Sequence, residues 1–221
     1  MLQGIWTTVK LGIICWCIAF VLGVTIGTFR ICPWRPLRAF ATAYTEFFRD
    51  IPLLVQLFFW YFAAPRVLPH SLEHYLYHEV SNVEFWVVVI GLSIYTSSRV
   101  AEQIRSGMQS IPPDQYSAAL STGLSHYQMY RYVIIPLAVR IMIPPLTTEF
   151  LTTFKNTSLA MTVGVLETTF MSQQIEAYTF HGLEATTGAS LVYLVVTMMV
   201  VLLMGQVEKR LSVPGLIARK T

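Results

Sequence analysis

Two uninterrupted apolar runs frame the chain, residues 11–29 and 185–207, neither containing a charged side chain. Each is long enough to cross the hydrocarbon core of a bilayer, which takes about 20 helical residues. Between them, residues 51–64, 85–98 and 133–154 are apolar but shorter, or interrupted by Pro52, Pro136, Arg140, Pro144 and Pro145. Weak spans of this kind suit helices beside a polar cavity, where protein and water satisfy broken backbone bonds. The pattern predicts an all-α membrane protein of five transmembrane helices. No repeat, low-complexity tract or polar linker divides it, so residues 1–221 read as one domain with a core over about 4–207. In the first span Gly23 and Gly27 form a small-xxx-small pair that permits close helix contact. Residues 33–49 mix arginines with Leu37, Phe40, Tyr44, Phe47 and Phe48, reading as an interfacial amphipathic helix or, by pattern alone, an ordinary loop.

Composition agrees with the spans: 54% hydrophobic and 12% charged residues exclude an ordinary soluble domain. The charges also orient the bundle. Arg30, Arg35, Arg38 and Arg49 follow the first span, Arg99, Arg105 and Arg131 lie between the third and fourth, and Lys209, Arg210, Arg219 and Lys220 close the chain. The opposite segments, 66–84 and 156–184, hold six glutamates and little positive charge. The positive-inside rule therefore predicts an outside N-terminus, a cytoplasmic C-terminus and a cytoplasmic 99–133 segment. The net charge of +3 reports this topology and implies no nucleic-acid partner. At the N-terminus, basic residues after the apolar run are the reverse of a secretory signal, so a span is expected there. Cys15, Cys17 and Cys32 are odd in number, and two lie in an apolar helix, which points to packing rather than disulfides.

Against this background residues 116–136 are small and polar. Ile111-Pro112-Pro113-Asp114 ends one helix and starts another, predicted over 113–122, which Gly123 terminates. Ser125 is placed to cap the next helix. Ala118, Ala119 and Gly123 recur at one-turn spacing, where small side chains let a partner approach the backbone. The 106–133 loop is thus a docking surface. None of the four lysines follows a glycine, so the chain has no Walker-type phosphate loop, and any ATP-driven work belongs to another subunit.

Ala118-Ala119, Gly123 and Ile135-Pro136 resemble the coupling loop of the membrane subunits of bacterial ABC importers, Glu-Ala-Ala-x3-Gly-x9-Ile-x-Leu-Pro, with Ser117 in the place of the family Glu, Val133 of the Ile and Ile135 of the Leu. The segments 44–62, 102–112, 140–145 and 155–159 resemble, in order, parts of the polar amino acid importer permeases. Arg99-Val-Ala-Glu-Gln-Ile-Arg105 and the ending Val207-Glu-Lys-Arg-Leu-Ser-Val-Pro-Gly215 are most similar to the glutamate/aspartate branch. The resemblance implies a type I ABC importer transmembrane domain in the bacterial inner membrane, its N-terminus periplasmic. It implies a non-hydrolytic permease with Ser117, Ala118, Ala119, Gly123 and Pro136 toward an ABC ATPase subunit. It also implies a second permease, identical or related, and a periplasmic amino acid-binding protein. No cofactor is expected on this chain; ATP and Mg belong to the partner ATPase.

The expected substrate contacts are the polar residues within or beside apolar spans. Arg99 is costly at membrane depth, roughly 2.5–3.5 kcal/mol at a helix centre, and its fork suits a substrate carboxylate. It also suits a structural pair with Glu102 one turn away, or snorkelling to the surface. Lys155, Asn156, Thr157 and Ser158 offer a cation, an amide and two hydroxyls for an amino acid head group, or an interface marker with backbone-bonding hydroxyls. Where the family commonly has an acidic residue, this chain has Asn156, which removes repulsion against an anionic substrate. Gln56 and Arg140 serve the pathway or hold the bundle together. His70, His74 and His78 make an i, i+4, i+8 ladder that reads better as a solvated face than as a zinc site, and no metal is expected. No arrangement suggests covalent catalysis. The competing class is a self-sufficient ion-driven carrier or channel subunit, whose signature would be inverted repeats.

Overall fold

The structure, a computed structural model, describes residues 1–211. Helix α1 (Leu2–Ile31) is followed by α2 (Arg35–Asp50) and by α3 (Leu53–Phe58), which continues as a π-helical turn over Phe59–Ala63 and a 3-10 turn over Ala64–Val67. Next come α4 (His70–His78), α5 (Val83–Gln109) and the short α6 (Pro113–Ser121). Helix α7 (His126–Met129) runs through a π turn, Tyr130–Ile134, into α8 (Ile135–Asn156) and a 3-10 stretch, Thr157–Val163. Then follow α9 (Thr168–Thr179) and α10 (Gly182–Leu211). Among the described residues no strand occurs.

Among the described residues four helices are long and apolar enough to cross a membrane: α1, α5, the continuous His126–Val163 run and α10. A fifth candidate is α2 taken together with α3 and its π and 3-10 extensions, a pair bent by 101° as a broken span or re-entrant loop is. Pro52 explains the bend, because a residue before proline is pushed out of the helical region, and Ile51 is extended at φ −87° and ψ 129°. Gln56 secures the corner: its amide nitrogen donates to the Phe48 carbonyl at 2.7 Å and the Ile51 carbonyl at 3.0 Å. Otherwise those late carbonyls would lack helical donors.

The helices outrun the spans read from the sequence. Pro144 and Pro145 do not interrupt α8, which passes through both. Each proline deletes one backbone donor, a defect that membrane helices tolerate where side chains and neighbours re-satisfy carbonyls. The carbonyls so freed are those of Arg140 and Ile141, four residues back; Thr147 and Thr148 donate one turn on, to the carbonyls of Ile143 and Pro144. Both π turns end two residues before a proline, Pro65 and Pro136. A proline ring clashes with the carbonyl four residues back, and widening the turn relieves that clash. The acidic segment 66–84 holds α4, and 156–184 holds α9, so neither is a bare loop.

Close approach of α1 to α5 organises the core. A Cβ at Gly23 would lie 2.5 Å from the Val100 Cβ, and one at Gly27 would lie 2.7 Å from the Ile104 Cβ. Toward one end Leu11, Cys15, Leu57, Val88, Leu92 and Ala160 pack together; toward the other, Val100, Ile111, Ala119, Met129, Ile134 and Met142 do. The outer face of α10 exposes Leu191, Leu194, Val195, Met198 and Leu202, as a lipid-facing helix does.

Candidate functional site

At the α6 end the sequence builds a small projecting unit. Proline starts α6, Thr122 donates to the Ala119 carbonyl at 2.7 Å, and Gly123 takes φ +85°, a left-handed stop that a Cβ would strain. Ser125 and Gln128 then form a reciprocal capping box that opens α7. Ser117, Ala118 and Gly123 are exposed, whereas Ala119 is 6% exposed and packs into the cluster that contains Met129, Ile134 and Met142. Pro136 is half-buried beside the π turn. The unit is therefore pinned to α8 through Ala119, leaving the other small residues outward.

Three arginines from three elements converge behind it on Glu102. Arg105 donates to both carboxylate oxygens, Arg30 donates to Oε2, and Arg49 lies 3.5 Å away. Opposite charge at this range offsets the cost of burying Arg30. The cluster ties the end of α1 and the amphipathic α2 to α5. It also corrects one sequence expectation: Glu102 is not the partner of Arg99. Arg99 instead reaches across to α8, where its Nε and Nη2 donate to the two oxygens of Glu149 at 2.7 and 3.1 Å. Gln103 lies at the limit of hydrogen-bond distance from the same carboxylate, and the Arg99 guanidinium stands 5.9 Å from the Tyr95 ring. Glu149 is 4% exposed, but Arg99 keeps 35% of its side chain open.

Lys155 and Ser158 lie elsewhere, on a hollow of about 320 Å³ between α8, α9 and α10. Thr169, Ser172, Gln173, Glu176, Thr186, Ser190 and Tyr193 supply most of its remaining lining. Thr157 is buried and donates to the Phe154 carbonyl, and Asn156 is half-buried and does not line the hollow. Arg140 is exposed on α8 and forms no ion pair among the described residues. Gln56 is spent on the α2–α3 corner. The structure thus joins Lys155 with Ser158 and separates both from Arg99. His70 and His74 lie on α4; the side chain of His78 lies outside the described residues. So do Arg219, Lys220 and the closing motif beyond Leu211.

Sequence reasoning passed over Glu149, although a lone carboxylate in an apolar run is itself a signal. It also missed Glu167. This fully buried carboxylate caps α9, accepting the Thr169 and Phe170 amides at 2.8 Å, and takes the Tyr193 hydroxyl at 2.6 Å. Burial pushes its pKa above the ordinary carboxylate range, and the Tyr193 and backbone hydrogen bonds partly offset the rise. No local pattern announced it, because its partners are Tyr193 and the first turn of a helix hidden in a polar segment.

A helical bundle with a projecting short helix and ion-paired polar residues inside its spans defines the membrane subunit of a transporter. The chain belongs to the family of binding-protein-dependent transport system inner membrane components, whose model matches residues 19–213. It is similar to the glutamate/aspartate import permease protein GltJ of Escherichia coli strain K12, at 36% identity over 96% of this chain and 87% of that one. The probable glutamine ABC transporter permease protein GlnM of Bacillus subtilis strain 168 is 33% identical over 96% and 93%. A solved amino acid ABC transporter with histidines aligns with a TM-score of 0.81 at 29% identity, covering 95% and 92%. The chain is a multi-pass, non-catalytic permease subunit of an amino acid ABC importer, and ATP hydrolysis is done by a separate subunit.

Proposed function

We propose that this permease imports acidic amino acids, glutamate and aspartate, through a pathway that α8 lines. One observation carries the reading: on α8 the sole carboxylate, Glu149, is neutralised by Arg99, while the cations Arg140 and Lys155 are exposed and form no ion pair among the described residues. They sit about 60° apart around the helix and about 22 Å apart along it. Excess positive charge on a helix that lines a route raises the local concentration of an anionic solute. The similarity to GltJ points the same way.

At the hollow, Lys155 takes a carboxylate and Glu176 the α-ammonium, with Ser158, Ser172 and Gln173 supplying neutral hydrogen bonds. Arg99 offers a second fork, which a substrate carboxylate enters by displacing Glu149; Asn156 adds no negative charge to this end of α8. Glutamine is the second reading, favoured by Glu176, because that carboxylate balances Lys155 locally.

In this account the N-terminus is periplasmic, the C-terminus cytoplasmic, and α6 faces the cytoplasm in the bacterial inner membrane. Ser117, Ala118 and Gly123 meet the ABC ATPase, whose ATP and Mg supply the energy, while Ala119 and Pro136 pass its displacement to α8. A second permease, identical or related, closes the pathway, and a periplasmic binding protein delivers the substrate.

The test is competition in the reconstituted complex. Glutamate uptake should be suppressed by excess aspartate and little affected by glutamine or asparagine; stronger suppression by glutamine would replace the acidic reading with the second one.

A further inference from the structure

A second polar hollow, of about 610 Å³, lies between the end of α1, α2, the end of α5, and the α6–α7 unit. It lies at the opposite end of α1 from the Lys155 hollow's neighbours, since Arg30 is in the last turn of α1. Its wall includes Arg30, Arg38, Gln109, Tyr116 and Tyr130 on the polar side, with Cys32, Met108 and Ile111 on the apolar side. Among the described residues no acidic side chain lines it.

The arginines are not equivalent. Arg30 is 7% exposed in its side chain; its two terminal nitrogens engage Glu102 and, at 3.9 Å, Glu46. Its Nε is buried with no hydrogen-bond partner. Arg38 is exposed and makes no ion pair among the described residues. Tyr116 and Tyr130, whose rings meet edge to face at 6.3 Å, add two hydroxyls. Burial raises the Tyr116 pKa above its ordinary value, so its hydroxyl keeps its proton at neutral pH and remains a donor.

Arg38 with its guanidinium free of ion pairs, two phenols, and Arg30 held behind them on Glu102 surround a space that no carboxylate lines among the described residues, which is the chemistry of an anion site. Planar forks and hydroxyl donors suit phosphate oxygens. The setting narrows the source. Trp34, which caps α2, and Phe40 and Phe47 on it are exposed beside Arg35 and Arg38, the composition of a helix lying in a membrane interface, and Arg38 carries this helix to the wall of the hollow. We propose that this hollow binds an anionic phosphate group, that of a phospholipid headgroup, and thereby braces α2 and α6 against each other. Such a group bridges the interfacial helix and the projecting unit, making the stiffness of the latter sensitive to lipid charge. The site is separate from the substrate path proposed above, and its failure leaves that reading untouched.

Native mass spectrometry of the full-length permease in neutral detergent tests it, with phosphatidylglycerol, phosphatidylcholine and inorganic phosphate as separate additions. One phosphatidylglycerol should be retained per chain where phosphatidylcholine is not. Arg38→Gln should weaken retention roughly tenfold, by loss of one charge-assisted contact. Arg35→Gln, on the same helix but off the hollow, should stay within about twofold. Retention that millimolar inorganic phosphate does not reverse assigns the hollow to a headgroup; binding of inorganic phosphate alone, lost in Arg38→Gln, assigns it to free phosphate. Binding of neither anion, or equal loss in the Arg35 and Arg38 variants, overturns the proposal. Because Arg38 is exposed and outside the packed core, its substitution leaves folding intact, and a variant that purifies normally keeps the outcome interpretable.

Discussion

At the residue scale the Arg99–Glu149 pair decides how mutations should be read. Removing the Arg99 guanidinium leaves a carboxylate that is 4% exposed without its partner. Breaking a buried pair costs roughly 3–5 kcal/mol, toward the lower figure here because Arg99 keeps solvent access. Arg99→Gln alone should therefore lower the yield of assembled permease. Adding Glu149→Gln should restore it, since two amides of similar shape replace the pair. Glutamate uptake by the restored double variant measures what Arg99 does beyond assembly: a raised KM supports a substrate contact, and unchanged kinetics make the pair structural. Lys155 is cleaner, being exposed and in no ion pair among the described residues. Lys155→Gln should raise the KM for glutamate roughly tenfold while leaving stability nearly constant, as expected for losing one charge-assisted hydrogen bond. Equal KM values in wild type and variant would remove Lys155 from the pathway. Arg99 was visible in the sequence as a charge in a span; its partner, fifty positions away, was not. Pairing depends on how α5 and α8 are rotated against each other, which neither helix encodes alone.

Among elements, α6 and the α1–α5 seam carry separate predictions. Gly123 is exposed with φ +85° and nothing within 4 Å of a would-be Cβ. Asn and Asp tolerate this left-handed conformation better than other non-glycine residues, so Gly123→Asn controls for backbone strain. Gly123→Asp should abolish ATP-coupled uptake with normal membrane insertion, while Gly123→Asn keeps most of it. Normal uptake by the Asp variant would remove this turn from the coupling surface. Gly23→Val should act differently, through overpacking against Val100, where a Cβ already falls 2.5 Å from its nearest neighbour. A loss of roughly 1–3 kcal/mol, read as a lower melting temperature of the purified permease, is expected. The start of α6, its glycine stop and the Ser125 cap were legible because each is a local rule: proline in the first turn, glycine at a left-handed stop, serine before a helix. The reach of α5 to Gln109 and the passage of α8 through two prolines were not. Both depend on neighbours that hold the backbone where its own sequence would loosen it. Equally hidden was the inward turn of Ala119, which the motif groups with Ala118 but the fold assigns to packing.

For the whole molecule, the all-α membrane class followed from the apolar runs, and the family from ordered motifs across the chain; of the five spans read, four stand as single long helices among the described residues and the fifth only as the bent α2–α3 pair. Of the three spans read as weak, 85–98 and 133–154 belong to the long helices α5 and α8, and only 51–64 is short, π-wound and bent away from α2 at Pro52. Five helices with an exposed, cation-bearing α8 make an incomplete enclosure, which is why the account requires a second permease and an external source of energy. Uptake of labelled glutamate into proteoliposomes, with the purified permeases, ATPase and binding protein, is the direct measurement. The account predicts accumulation that requires ATP on the ATPase side and vanishes when that subunit is omitted. Uptake indifferent to ATP and to removal of the ATPase would contradict it.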